Sequence, residues 1–178
     1  MKHVKHTIGL VTAVLVLAVT GLAAQAQPQF SGTWTLDPSQ SQFPAHGNKA
    51  PGAVQGQTQQ PPVVKLLVEQ NGANFKVTRS MARDNRERAY TQSFVADGSE
   101  RTTQGRRGGN TVTKATLGGD RLVTTSTTTM AAKDGGEAKT FSRESTWMVS
   151  PDGHTLTIDT VMHGPRRDKA MKTVYLKS

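Results

Sequence analysis

The chain has 178 residues and carries 22 lysines and arginines against 13 aspartates and glutamates, which gives a formal net charge of +9. It contains no cysteine, so disulfides, thiol catalysis, cysteine-ligated zinc and covalent haem attachment are excluded. The length suits a single domain preceded by a leader.

Residues 1–26 have the three parts of a secretory signal peptide. Two lysines give a positive start, residues 8–22 form an uncharged apolar run, and Ala24-Gln25-Ala26 supplies small residues for cleavage. The run is shorter than the ~20 residues of a membrane-spanning helix, and no later segment is as apolar. We therefore expect cleavage after Ala26, no membrane insertion of the product, and a secreted or periplasmic domain over residues 27–178. Loss of the two lysines would lower the net charge from +9 to +7.

The first predicted strand covers residues 27–36. Its apolar positions alternate with polar ones, as in a strand with one buried face. These positions are Phe30, Gly32, Trp34 and Leu36. Asp37-Pro38-Ser39 has turn chemistry, which predicts the end of this strand and a short helical turn over residues 39–43.

Residues 43–62 are rich in proline, glycine and glutamine. Such a composition cannot bury enough apolar surface to order itself, so we expect a flexible loop. The loop is either a tolerated insertion or a lid over a barrel mouth. The first interpretation is favoured because Phe43 is the only aromatic residue that could cover a ligand.

From Val63 onward the sequence reads as strands separated by short turns. The turn signals recur at close intervals and are Asn71-Gly72, Asp84-Asn85, Asp97-Gly98, Gly118-Gly119-Asp120, Asp134-Gly135-Gly136, Pro151-Asp152-Gly153 and Gly164-Pro165. No segment keeps a helical period over three turns, and no βαβ crossover is visible. The pattern predicts an all-β fold, an antiparallel up-and-down barrel of about 8–10 strands.

Two stretches resemble a group of small exported bacterial proteins. Residues 30–41 read Phe-Ser-Gly-Thr-Trp-Thr-Leu-Asp-Pro-Ser-Gln-Ser and resemble that group's F-x-G-T-W-x-L-x-x-x-x-S opening. Residues 150–157, Ser-Pro-Asp-Gly-His-Thr-Leu-Thr, resemble its late hairpin, S-x-D-G-x-T-L-T. These proteins are described as lipocalin-like and are largely of unknown function, so the resemblance implies a lipocalin-like barrel. In lipocalins the first-strand tryptophan packs near a basic residue late in the barrel, and the resemblance implies Lys172 as that residue here.

Gly32 and Trp34 lie where the predicted barrel begins. A large aromatic ring beside a glycine can fill the taper of a small barrel, so we expect this pair to close one end. The competing interpretation places the Trp34 ring beside a ligand on the barrel floor.

Arg143 and Trp147 lie in phase on the longest predicted strand, residues 138–149, together with Phe141 and Ser145. If this face points inward, Arg143 can receive a carboxylate or phosphate while Trp147 covers an apolar tail. The alternative, which the residues alone favour, is that the face points outward or that Arg143 pairs with an internal carboxylate.

Metal binding and catalysis find little support. Three histidines follow the signal peptide, His46, His154 and His163, and the last two lie at opposite ends of one predicted strand, about 30 Å apart at ~3.3 Å per residue. No nucleophile elbow or phosphate-binding motif occurs. We therefore predict no metal, no cofactor and no enzymatic activity.

Arginines and lysines gather near the turns, at residues 79–88, 101–107 and 166–169. No aromatic residues interleave with them and no nucleic-acid-binding motif is visible, so we expect no specific nucleic acid partner. They are interpreted as solvated hairpin tips with a weak attraction to anionic envelope surfaces.

Two functions therefore compete. The first is an exported lipocalin-like protein that binds a small apolar or amphipathic ligand, whose anionic head Arg143 would receive. The second is a non-enzymatic structural or interaction module of the bacterial envelope with a filled barrel interior. An open cavity facing Arg143 and Trp147 would favour the first.

Overall fold

The computed structural model describes residues 28–44, 62–83, 86–104, 109–131, 136–165 and 168–178. These residues form ten strands: β1 (Gly32–Gln42), β2 (Val63–Asn71), β3 (Asn74–Arg83), β4 (Arg86–Val95), β5 (Asp97–Gln104), β6 (Asn110–Gly118), β7 (Arg121–Met130), β8 (Lys139–Val149), β9 (Thr155–His163) and β10 (Lys169–Lys177). Within the described ranges there is no helix with the length and apolar character to cross a membrane. The predicted signal peptide and nearly all of the predicted loop 43–62 lie outside the described residues.

The strands form one antiparallel sheet in the order β4-β3-β2-β1-β10-β9-β8-β7-β6-β5. Neighbouring strands are consecutive in the chain except β1 and β10, whose pairing joins the two ends of the meander. The two edge strands, β4 and β5, are also consecutive in the chain, so the sheet curls into a nearly closed barrel. The prediction of an all-β antiparallel barrel is confirmed.

Antiparallel register determines which side chains face the barrel interior. Val64, Leu66 and Val68 of β2 are buried, whereas the residues between them are exposed. The same alternation runs through β9, where Leu156, Ile158 and Thr160 are buried. Because the pairing aligns these rows from strand to strand, one continuous inner face results.

Aromatic rings pack together at the base of the barrel, defined here as the end holding Phe30 and Trp34. Both side chains are fully buried. The Phe30 ring meets Phe75 edge-on at 6.0 Å, and Phe75 stacks on Phe94 with centroids 5.3 Å apart. Such ring contacts add to the free energy gained from burying the apolar area.

The segment before β1 is tied across this base by Gln70. The Gln70 side-chain oxygen accepts a 2.8 Å hydrogen bond from the Phe30 N–H, and its amide nitrogen donates to the Pro28 carbonyl at 3.2 Å. Trp34 Nε1 donates to the Phe30 carbonyl at 2.9 Å. These hydrogen bonds satisfy backbone groups that would otherwise be buried without a hydrogen-bond partner.

The end of the first strand differs from the prediction. β1 continues through Asp37-Pro38-Ser39 to Gln42, so the helical turn over residues 39–43 is wrong. The turn-forming side chains are satisfied inside an irregularity of the strand, where Asp37 accepts from the Ser39 N–H at 2.9 Å and the register with β10 shifts. Ser41 Oγ then accepts from the Val174 N–H at 2.9 Å, which holds β1 against β10.

The barrel has a gap between β4 and β5. At the base, Ala96 links the two strands, since its N–H donates to the Ala73 carbonyl at 2.7 Å and its carbonyl accepts from the Leu117 N–H at 3.3 Å. β4 and β5 are not hydrogen-bonded neighbours in the sheet. Among the described residues, each of these strands therefore has one edge without a paired strand, and the two edges face each other.

Asp97 organises the start of β5 beside this gap. Its carboxylate accepts hydrogen bonds from the Ser99 N–H at 2.9 Å and from Arg101 at 3.1 and 3.3 Å. The hydrogen bonds from Arg101, followed by those from Ser99, lower the pKa of Asp97 from its ordinary value. The ionised form is thus favoured in the folded protein.

We expect Asp97→Asn to lower the Tm at pH 7 and this deficit to shrink as the pH is reduced. A carboxylate whose pKa is lowered by folding stabilises the native state above its unfolded value of ~3.9, and that contribution is lost as the pH falls towards the folded-state pKa. Thermal unfolding monitored by circular dichroism between pH 7 and pH 2 measures the difference. Glu100→Gln, an exposed carboxylate of the same strand that makes no hydrogen bond within the described structure, is the matched control. A deficit that stayed constant with pH would contradict the role given to the Asp97 charge.

Candidate functional site

The barrel encloses a chamber with two overlapping lobes. One lobe has a volume of about 700 Å³ and extends along β4 to β8, and the other, of about 530 Å³, extends along β1 to β4 and β8 to β10. The residues common to both lobes are Tyr90, Gln92, Arg143, Ser145 and Trp147. The interior is therefore open above the aromatic base, with one strip of residues at the divide between the lobes.

The larger lobe is lined mainly by hydroxyl and amide side chains, and we call it the threonine lobe. Its wall includes Thr103, Thr111, Thr113, Thr124, Thr125, Ser126, Gln92 and Gln104. The hydroxyls of Thr111 and Thr128 lie 2.9 Å apart across β6 and β7. This polar wall is the inner face of the threonine-rich hairpin.

The smaller lobe is lined mainly by hydrocarbon and thioether side chains, and we call it the apolar lobe. Its wall includes Leu36, Leu66, Val77, Ile158, Met162, Met171 and Tyr175. The two lobes share a single space but offer a ligand opposite surroundings.

Arg143 and Trp147 lie on the inner face of β8, as their phase in the sequence required. Register pairs Arg143 with Ser126 on one side and Met162 on the other, and pairs Trp147 with Leu122 and Ile158. The outward-facing alternative for this strand is therefore wrong. Arg143 also lines a third cavity, of about 820 Å³, that continues from the chamber past Lys139 and Phe141.

Charged side chains that line the two lobes are all cationic. They are Arg79, Arg101, Arg143 and Lys169, and among the described residues no aspartate or glutamate lines either lobe or the third cavity. Arg101 is paired with Asp97. Within the described residues, the Arg143 guanidinium makes one hydrogen bond, from its Nη2 to Met162 Sδ at 3.5 Å, and forms no ion pair. The predicted alternative of an internal carboxylate partner thus finds no support in the described part of the chain.

The sequence interpretation missed Arg79 and Tyr175, which both line the apolar lobe. Burial raises the pKa of the Tyr175 hydroxyl, while a hydrogen bond between its side chain and that of Thr173 and the charge of Arg79 act in the opposite direction. Arg79 is therefore close enough to Tyr175 to act on it electrostatically. Arg79 alternates in phase with the inward-facing residues of β3, and this pattern could have identified it. The arginines and turn residues near it in the sequence instead indicated a solvent-exposed hairpin tip.

Trp147 contributes its ring to the chamber. The side chain is 7% exposed, and its Nε1 is buried without a hydrogen-bond partner among the described residues. An unsatisfied buried donor costs about 1–3 kcal/mol, which packing around the ring has to offset. Because the Trp147 ring lies at the divide between the lobes, its fluorescence can report on the occupancy of the chamber.

Gly32 and Trp34 lie at the base, away from the chamber wall. Lys177 Nζ lies 5.2 Å from the Trp34 ring centroid, so Lys177 is the basic residue beside the first-strand tryptophan. The assignment of Lys172 is wrong, because Lys172 pairs with Gln42 at the far end of β1. A side chain at Gly32, whose φ is +145°, would place its Cβ 3.1 Å from Lys177 Cε.

The described residues contain no cluster of three or more groups able to hold a metal ion. His163 Nδ1 lies 2.8 Å from Asp168, and both side chains are more than half exposed. His154 lies in the turn before β9, at the opposite end of that strand. The polar chemistry of the interior therefore consists of cations, hydroxyls and amides.

Comparison with known proteins shows the fold. No protein-family model matches the chain, and no curated protein matches its sequence. The solved structure of zebrafish ileal bile acid-binding protein complexed with cholic acid superposes with a TM-score of 0.52 at 17% identity, over 84% of this chain and 98% of that chain. A REP1-NXSQ fatty acid transporter gives a TM-score of 0.48 at 11% identity, covering 83% and 95% of the two chains. A Schistosoma mansoni fatty acid-binding protein with arachidonic acid gives 0.40 at 15% identity, covering 84% and 96%.

Proposed function

We propose that this protein is an exported carrier that holds a small amphipathic molecule with an anionic head inside its barrel. Arg143 receives the head, and Trp147 with the apolar lobe covers the hydrocarbon part. The export assignment depends on the signal-peptide pattern of residues 1–26.

The observation that carries the proposal is the charge of the chamber wall. Arg143 lies at the divide between the lobes, Arg79 and Lys169 line the apolar lobe, and no aspartate or glutamate of the described residues lines either lobe. The Arg143 side chain is exposed to the solvent of the chamber, so an anion can reach it. The surrounding barrel wall screens its charge less than open water does. An apolar wall next to it suits a hydrocarbon tail.

The comparisons are consistent with this proposal. The zebrafish bile acid-binding protein was solved with cholic acid, an amphipathic acid, and the other two named structures are of a fatty acid transporter and a fatty acid-binding protein. The similarity to these structures shows the fold alone. The argument for the ligand therefore depends on the charge and the lining residues of this chain's own chamber. The open chamber also disfavours the competing function, an envelope module with a filled interior.

Two measurements test the proposal directly. Native mass spectrometry of the protein purified from its own compartment should show a retained small molecule, or the purified protein should bind a panel of long-chain acids. Binding should change the fluorescence emission of Trp147 but not that of Trp34. The change in emission on binding should therefore persist in Trp34→Phe and disappear in Trp147→Phe. Protein that carries no molecule and responds to no member of the panel would overturn the proposal.

A further inference from the structure

We propose that the threonine lobe selects ligands whose body carries hydroxyl groups, so that the preferred occupant is a hydroxylated amphipathic acid rather than a plain fatty acid. The inference rests on the proposed function and names the class of ligand. The hydroxylated part lies in the threonine lobe, the bare hydrocarbon part lies in the apolar lobe, and the acid lies at Arg143 between them.

The first observation is the contrast between the two lobes. Hydroxyl and amide side chains dominate one wall, and aliphatic and methionine side chains dominate the other, although both belong to one chamber. A plain hydrocarbon chain placed in the larger lobe would remove hydroxyls from water and return no hydrogen bond, which is unfavourable. Valine would fill the same space as threonine and would suit such a ligand better.

The second observation is that several of these hydroxyls are free to bind. Thr113, Thr124 and Ser126 are half-buried inner residues of β6 and β7, and their hydroxyls form no hydrogen bond within the described structure. By contrast, the Ser145 and Thr160 hydroxyls, 3.0 Å apart, satisfy each other at the wall of the apolar lobe. The unpaired donors and acceptors are thus concentrated in the threonine lobe.

Cross-strand register groups these free hydroxyls into a compact patch. Thr113 lies directly opposite Ser126, and Thr124 lies opposite Ser145 of β8 and next to Ala115 of β6. A rigid body with hydroxyls along one side can therefore meet several partners at once, with Arg143 opposite Ser126 for its acid group.

The experiment compares two acids that share one ring system and one carboxylate. Isothermal titration calorimetry with cholate, which has three ring hydroxyls, and lithocholate, which has one, measures the preference of the full mature chain. We expect the wild type to bind cholate about tenfold more tightly, because its two additional hydroxyls can form hydrogen bonds that lithocholate cannot. The Thr113→Val, Thr124→Val double variant should lose that preference and bind lithocholate at least as well as the wild type does. Thr127→Val, on the outer face of β7, is the matched control and should keep it.

The outcomes separate this inference from the proposed function. Equal affinities for the two acids in the wild type, or a cholate preference that survives the double variant, would overturn the hydroxyl selectivity while leaving a carrier of plain acids intact. Tighter binding of stearate than of cholate would also overturn the hydroxyl selectivity and leave the proposed function intact. Failure of cholate, lithocholate and stearate to bind at all would overturn the proposed function and this inference with it.

Discussion

Replacement of Trp34 by alanine is expected to lower the free energy of unfolding by about 3–5 kcal/mol, the usual cost of truncating a fully buried aromatic residue. In a domain of this size that corresponds to a fall in Tm of roughly 10 °C. The Trp34 ring is fully buried at the base, its Nε1 donates to the Phe30 carbonyl, and Lys177 covers its face. Differential scanning calorimetry gives the measurement. The same experiment tests whether Gly32 and Trp34 close the barrel, as the sequence predicts.

Two further variants define what the ring and its N–H contribute. Trp34→Phe keeps an aromatic ring but leaves the Phe30 carbonyl unpaired, so it should cost only about 1–2 kcal/mol. Tyr90→Ala removes an aromatic side chain that is 68% exposed and should change stability by about 0.5 kcal/mol or less. If Trp34→Ala unfolded at the same temperature as Tyr90→Ala, the base would be closed by other contacts.

Replacement of Arg143 by glutamine should weaken binding of a long-chain acid by about tenfold or more. A hydrogen bond to a charged group contributes about 1.5–3 kcal/mol, and glutamine retains neither the charge nor the forked donor geometry of arginine. Affinity for the corresponding long-chain alcohol should hardly change, because the alcohol has no charge to lose. Displacement of an uncharged fluorescent probe by each ligand provides the comparison.

Controls for Arg143 come from the same chain. Arg143→Lys keeps a positive charge but loses the fork, and it should fall between the wild type and Arg143→Gln. Arg121→Gln, which removes an exposed arginine paired with Asp120 in the β6–β7 turn, should bind the acid like the wild type. Equal loss of acid and alcohol binding in Arg143→Gln would show that the variant damaged the barrel rather than the recognition of the acid.

Much of the fold could be predicted from local chemistry. Asn71-Gly72 and Asp152-Gly153 mark real hairpins, where Gly72 and Gly153 have φ values of +57° and +73° that favour glycine. Alternation placed Arg143, Ser145 and Trp147 on one strand face, which the register confirms. Turn residues and a period of two act over a few neighbours, so a single sequence carries their signal.

The features that the sequence did not predict depend on which strands become neighbours in the sheet. Lys172 and Lys177 lie on the same strand, and only the register of β10 against β1 shows that Lys177 covers Trp34. The Asp37-Pro38-Ser39 turn chemistry was recognised, yet pairing with β10 kept the chain extended through it. The division of the chamber into two lobes likewise required the order of the strands around the barrel, since its walls combine residues far apart in the chain.

The gap between β4 and β5 has a consequence for how the molecules behave in concentrated solution. An unpaired strand edge offers N–H and C=O groups to any second chain, and a long apolar edge leads to aggregation. β4 begins Arg86-Glu87-Arg88, and all but its last two residues are exposed. Long charged side chains on such an edge repel an incoming strand and oppose its desolvation. Charges that the sequence suggested were only solvated turn tips thus act as a barrier to intermolecular strand pairing at the place where the barrel is open.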